Sequence, residues 1–257
     1  MSHGWDNELF RLGDEWVVRM PRRAAAVPLL LNEQRWLPSL QKLVDPPLPV
    51  PVAVGLPSTD FVWPWSITRL LPGVPAAYAP ISSRDALVEP LADFVRSLHV
   101  PAAWDAPDNP VRGTPLATRD DLTRARLATA DIPHVSALLA TWERGLAVPV
   151  YNGPALWMHG DLHPLNVLLT PSGSLAAVLD FGDLGRGDPA CDLSAAWMFF
   201  DPEQRARFRE RIGAGVHDDA AWTRAAGWAT AFAAAILQDT ALTPIAEHTI
   251  EQLVAER

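Results

Sequence analysis

The residues with the most chemical content lie in one stretch, His159-Gly160-Asp161-Leu162-His163-Pro164-Leu165-Asn166, followed by Asp180-Phe181-Gly182-Asp183. Asp161 precedes Asn166 by five residues, and Asp180 follows Asn166 by fourteen, beyond a short extended run. That spacing suits phosphoryl transfer from a nucleotide. The first carboxylate accepts or orients a substrate hydroxyl, the Asn oxygen ligates a divalent cation, and the second Asp holds the Mg²⁺ that bridges the phosphates. Protein of this kind contributes mainly positioning and charge neutralisation. The alternation His159-x-Asp161-x-His163 also admits a zinc hydrolase, because imidazole and carboxylate are usual zinc ligands. The remaining histidines, His3, His99, His134, His217 and His248, are isolated in sequence and offer no second ligand cluster.

Taken together, the two segments resemble those of the aminoglycoside phosphotransferase family, small-molecule kinases with a protein-kinase-like fold. In that family the loop reads His-Gly-Asp-x-x-x-x-Asn and the metal motif reads Asp-x-x-Asp. The likeness continues through Gly185, Gly187, Asp188-Pro189-Ala190 and Asp192-Leu193, and backwards through Leu98-His99 and Trp65 to Gly73, so it covers nearly the whole chain. It implies a two-lobed α+β fold, with ATP or GTP as phosphoryl donor and Mg²⁺ as cofactor. Asp161 would be the catalytic base, and Asn166 and Asp180 the metal ligands. Arg69 and Leu71 would fall on the strand and hinge beside the nucleotide base. His159 and Asp188 would hold the loop, with His163 either touching the nucleotide or packing against it.

Several elements must position these residues. Leu9 to Leu12 and Trp16 to Met20 flank Gly13-Asp14 and read as a hairpin. Leu30, Leu31, Trp36, Leu37 and Leu40 recur at helical spacing, with Pro38 placed to end or kink that helix. Further strands are expected at Val50 to Val54 and at Phe61 to Leu71, completing a small first lobe over 1–72. From Ser82 the texture turns helical: a helix capped by Ser82 or Ser83 and containing Pro90, a Pro/Asp/Asn loop over 101–117, and a largely helical stretch from Thr118 to Leu146. Leu156 to His159 is extended, Val167–Leu169 and Leu175–Leu179 form a hairpin around Pro171-Ser172-Gly173, and helices run from Asp192 to the end of a second lobe over 73–257.

One lysine, Lys42, stands against 20 arginines. Kinase-like folds place a cation on a strand of the first lobe, where it holds the α and β phosphates and pairs with a helix Glu. Lys42 lies beyond the helix pattern and cannot occupy that strand. On Trp16 to Met20 the alternation puts Val17 and Arg19 on one face, apolar beneath the base and cationic at the phosphates. Arg19 is therefore the expected phosphate clamp, with Glu33, fourteen residues on, as its partner. An arginine is planar, bidentate and always charged, so the exchange is not neutral. Gly4-Trp5-Asp6-Asn7 reads as the loop covering the nucleotide, which makes Gly4 and Asn7 candidate contacts. That placement leaves the first lobe about one strand short of the family pattern, through a trimmed lobe or a start lying upstream.

Composition narrows the partners. A chain of 257 residues with net charge −9 lacks the basic face that displaces counterions from nucleic acid. At 49% apolar and 20% charged residues it reads as globular rather than disordered. Its longest uncharged run, Leu162 to Leu179, is broken by prolines and a turn, so no membrane span is expected. Cys191 is the sole cysteine, which precludes an intrachain disulfide and fits a cytoplasmic protein. From Asp180 onward 13 Asp and Glu face 7 Arg, concentrating the negative charge in the lobe expected to hold the acceptor. Asp183, Asp201, Glu203, Asp218, Asp219, Asp239 and Glu247 form the pool of acceptor carboxylates for a cationic small molecule. Three readings follow: an aminoglycoside-type kinase, a kinase of a macrolide, other natural product or metabolite alcohol, or a non-catalytic nucleotide or drug binder. A monomer or weak dimer is expected.

Overall fold

A computed structural model describes residues 2–3, 6–129, 132, 134–213 and 215–256. Its first sheet is antiparallel and is built from β1 (Ser2–His3), β2 (Asn7–Leu12) and β3 (Trp16–Pro21), followed after helix α1 (Val27–Leu40) by β4 (Pro51–Gly55) and β5 (Trp65–Arg69). The strand order is β1-β2-β3-β5-β4. The edge expected to lack a strand carries the two-residue β1, paired through Ser2↔Leu9 and His3↔Glu8. Within the hairpin Leu9 lies opposite Arg19 and Phe10 opposite Val18, and β5 pairs Ser66 with Arg19. Arg19 thus sits on a central strand, where its side chain is enclosed. Helix α1 buries Leu30, Glu33, Leu37 and Leu40 on one face. Pro38 neither breaks nor displaces it, because it falls in the last turn, where a single backbone bond is lost.

The chain then leaves this sheet through β6 (Val74–Pro75) and enters helices α2 (Asp85–Leu98), α3 (Asp120–Thr129) and α4 (Val135–Ala147). The Ser82/Ser83 cap is not formed. Both residues lie in a short 3₁₀ turn where Ser83 Oγ donates to Pro80 O, and Arg84 precedes the helix without a side-chain cap. Pro90 is accommodated in the first half of α2, whose Leu87, Leu91, Phe94, Val95 and Leu98 are all buried. Strands β7 (Leu156–Met158), β8 (Val167–Leu169), β9 (Leu175–Val178) and β10 (Gly185–Gly187) follow. They form two small antiparallel sheets, β6-β8-β9 and β10-β7. Helices α5 (Ala190–Leu193), α6 (Ala195–Phe199), α7 (Pro202–Ile212), α8 (Asp219–Ile236) and α9 (Thr243–Ala255) complete the chain.

Helix α8 is the axis of this second part, buried over nearly all of its length. Its alanines, Ala225, Ala229 and Ala233, are small enough for α4, α5 and α9 to pack against it. Trp142 of α4 fills the same core with no solvent exposure, and its Nε1 donates to Asp120 Oδ1 at 2.7 Å. Among the described residues no helix is long and apolar enough to cross a membrane.

Removing an enclosed indole leaves a cavity, while Asp120 keeps its pair with Arg124 Nε at 2.7 Å. Trp142→Ala is expected to lower stability by about 3–5 kcal/mol, read as a fall in the urea midpoint at unchanged m-value. A loss below about 1 kcal/mol would mean that the core closes around the gap.

Candidate active site

The site is assembled at the ends of short strands. Asp161 lies on the loop after β7, Asn166 immediately before β8, and Asp180 just after β9. The loop is fixed from beneath by Asp192, whose buried carboxylate accepts from His159 N at 2.7 Å and Gly160 N at 2.8 Å, with His99 Nε2 at 3.2 Å. Gly160 has φ +84°, and a Cβ there would stand 2.3 Å from Asp183 O, so only glycine permits this approach. His159 donates from Nε2 to Leu179 O at 2.9 Å and accepts the Asp161 N–H at Nδ1, 3.2 Å away. Both ring nitrogens are committed to the loop, which removes His159 from a zinc-ligand set with Asp161 and His163. Among the described residues no three His, Cys, Asp or Glu side chains converge as a metal cluster.

The two oxygens of Asp161 have separate partners. Arg112 Nη2 donates to Oδ1 at 3.0 Å, and His163 Nε2 lies 3.3 Å from Oδ2. Leu165 N donates to His163 Nδ1 at 3.3 Å, and His163 Nε2 also lies 3.3 Å from Asn166 Nδ2. Burial pushes the Asp161 pKa up, but the His163 hydrogen bond and charge, then Arg112 and His159, outweigh it and hold the carboxyl at about 2. Asn166 donates from Nδ2 to Asp161 O at 2.9 Å, so its amide oxygen is the atom left for a ligand. Asp180 adopts φ +57°, and its carboxylate is largely exposed. An amide oxygen and a free carboxylate are hard donors and fit Mg²⁺, which keeps several waters and substrate phosphates in its shell.

The first sheet supplies the cation. Arg19 Nη2 donates to Glu33 Oε1 at 3.0 Å and stands 3.9 Å from Asp180 Oδ1. Glu33 Oε1 also accepts the Phe181 N–H at 3.1 Å, so α1 grips the turn that presents Asp180. Burial raises the Glu33 pKa to about 6, partly offset by Arg19. Burial acts against the Arg19 cation, yet the Glu33 and Asp180 carboxylates overcome it and raise its pKa. Arg19 Nε is buried with no hydrogen-bond partner among the described residues, as is Asn7 Oδ1. Val17 is half-buried on the same strand, Arg69 stacks over Trp16 at 5.3 Å, and Leu71 lies half-buried just beyond β5. Gly4 lies outside the described residues.

Of the acceptor carboxylates, Asp183 alone joins the cluster around Asp161. It accepts from Asn109 Nδ2 at 3.0 Å and pairs with Arg112 Nε at 3.4 Å. Asp201 caps α7 in a reciprocal capping box with Gln204, and Asp218 caps α8 through Ala221 N. Asp219 pairs with Arg209, and Asp239 accepts Ala241 N in a turn. These four are engaged in helix ends, a turn and a surface pair. Asp188, buried, pairs with Arg224 Nε of α8 at 2.7 Å and fixes the segment after β10. Arg112 and Asn109 escaped the sequence reading, since they lie in a Pro/Asp/Asn loop with no motif around them and meet Asp161 and Asp183 only through the fold.

The chain matches the phosphotransferase enzyme family over residues 1–228. It belongs to that family. This phosphotransferase is 31% identical over 183 residues to an aminoglycoside 3'-phosphotransferase of Streptomyces fradiae, a match spanning 65% of this chain and 67% of that relative. Among solved structures, it superposes on the GDP complex of wild-type aminoglycoside 2'-phosphotransferase-IIIa with a TM-score of 0.71 at 20% identity, covering 100% of this chain and 92% of that one. An apoenzyme structure of a macrolide 2'-phosphotransferase from Brachybacterium faecium gives a TM-score of 0.61 at 22% identity, over 98% and 92% of the two chains. The α+β kinase-like fold is common to these structures.

Because the folded pKa of Asp161 lies below its ordinary 3.8, the unfolded chain binds the extra proton first as pH falls. The stabilisation from its ionised form is complete above pH 3.8 and is lost as pH falls through about 2. Asp161→Asn should therefore flatten the pH dependence of stability between those limits, measured by urea titration at successive pH values. An unchanged slope would show that Asp161 is not held ionised.

Proposed function

We propose that this phosphotransferase moves the γ-phosphoryl of ATP or GTP to a hydroxyl of an aminoglycoside-type antibiotic, inactivating it by modification. What supports this reading is the Asn166 Nδ2–Asp161 O hydrogen bond at 2.9 Å, which ties those two residues together, and Glu33, which joins Arg19 to the turn presenting Asp180. The name of the Streptomyces fradiae relative supplies the acceptor class.

In this mechanism Arg19 receives the nucleotide phosphates. Its buried, unpartnered Nε is a donor left for an anion, and Glu33 fixes the guanidinium plane. Asn166 Oδ1 and the Asp180 carboxylate would hold Mg²⁺, which when bound would neutralise phosphate charge. Val17 faces the base, with Arg69 and Leu71 at the hinge and Asn7, at the start of β2, as a further nucleotide contact. Asp161 orients the acceptor hydroxyl and takes its proton late, since a carboxyl held at about 2 is a weak base in the ground state. Such timing suits a loose phosphoryl-transfer transition state, in which the attacking oxygen becomes acidic only as the new bond forms. Asp183 is the acceptor-side carboxylate best placed to bind an ammonium or hydroxyl.

Calorimetry with Mg-ATP and Mg-GTP, then coupled turnover over a panel of aminoglycosides, macrolides and simple alcohols, tests the reading. Nucleotide binding and aminoglycoside-dependent turnover are expected, abolished in Asp161→Ala. Turnover of macrolides alone would move the acceptor class, and turnover surviving Asp161→Ala unchanged would overturn the mechanism. Arg19→Ala should raise the nucleotide KM or lower kcat at least tenfold, about 1.4 kcal/mol or more. An effect within twofold would assign the phosphates to another cation.

A further inference from the structure

The loop that carries Arg112 is braced along its length. Arg35 of α1 ion-pairs with Asp105, and Arg186 Nε donates to Asp108 Oδ1 at 2.8 Å. Asn109 Nδ2 reaches both the carbonyl and the carboxylate of Asp183 at 3.0 Å, while its Oδ1 accepts the Val111 and Arg112 N–H groups and so turns the chain toward the site. At Gly113, φ is +62° and a Cβ would come within 2.3 Å of Met158 Sδ, so the close approach to β7 requires glycine. Gly113 O in turn accepts Asp188 N at 2.9 Å.

This bracing delivers a guanidinium engaged along one edge and across one face. One edge holds Asp161 Oδ1 at 3.0 Å and Asp183 Oδ2 at 3.4 Å, and the plane lies over the Phe232 ring at 4.3 Å. A lysine ammonium lacks both the fork and the stacking plane. We propose that Arg112 is a positioning residue for phosphoryl transfer: it fixes the Asp161 carboxylate in the orientation that receives the acceptor hydroxyl and keeps it apart from Asp183. The proposal rests on the assignment of Asp161 made above. A carboxylate offers about four lone-pair sites, so Arg112 and His163 leave room on Asp161 for the hydroxyl.

Arg112→Ala, Arg112→Lys and Asn109→Ala are compared with the parent for nucleotide affinity, thermal midpoint and turnover. Arg112→Ala should lower kcat at least tenfold while the Mg-ATP dissociation constant stays within twofold. Added guanidinium chloride at millimolar concentration should restore at least threefold of that loss, and Arg112→Lys should fall between alanine and parent. Asn109→Ala, which keeps the charge but loosens the loop, should also lower kcat with nucleotide binding intact. A kcat for Arg112→Ala within twofold of a parent that Asp161→Ala inactivates would overturn the role of Arg112 and leave that of Asp161 standing. A loss that neither guanidinium nor lysine relieves would likewise overturn positioning in favour of simple packing.

Discussion

Glu33 Oε1 accepts two hydrogen bonds at once, from the Arg19 guanidinium and from the Phe181 amide, and the geometry of the whole cleft depends on that bridge. Arg19 belongs to the first sheet and Phe181 to the turn after β9, so a single carboxylate oxygen ties the Arg19 guanidinium to the turn that presents Asp180. Burying such a pair is costly, and breaking it by removing one partner typically costs about 3–5 kcal/mol because the other charge is stranded. Ordinary hydrophobic packing would have been a cheaper way to join α1 to the turn. What the ion pair adds is direction, since it orients a guanidinium whose Nε has no hydrogen-bond partner among the described residues.

A second buried carboxylate does the same work on the other side of the cleft. Asp192 holds the His159 and Gly160 amides and is itself met by His99, whose Nδ1 lies 3.2 Å from His217 Nε2. Among the carboxylates, Asp180 is 60% and Asp161 26% exposed, while Glu33 and Asp192, which support the turns around them, are at 2% and 0%. This division follows from electrostatics. Reactive carboxylates must meet water-borne ligands, whereas the groups aiming them gain strength and rigidity from exclusion of water.

Much of the scaffold is legible in the sequence because its signals are local. The Gly13-Asp14 and Pro171-Ser172-Gly173 turns bracket strands that form as their alternation implies, and the α1 and α2 faces follow helical spacing despite Pro38 and Pro90. Where several local rules compete, the reading slips. Ser83 satisfies its hydroxyl within the 3₁₀ turn rather than capping α2, and Asp201, an acceptor candidate by charge, uses its carboxylate in a capping box with Gln204. A charge tally cannot distinguish an aspartate that caps a helix from one that faces a ligand.

The sequence by itself determined the order of chemistry along the chain: a carboxylate, an amide and a second carboxylate at fixed spacing, with arginine in place of lysine on the strand before them. Those relations are short-range, set by strand periodicity and loop length, and so can be read residue by residue. Tertiary structure alone decided which side chains complete the site. Arg112 stands 49 residues before Asp161 and meets it only because a loop braced at Asp105, Asp108 and Asn109 is carried across the cleft. Contacts over such separations depend on how the elements pack, and no local periodicity records them.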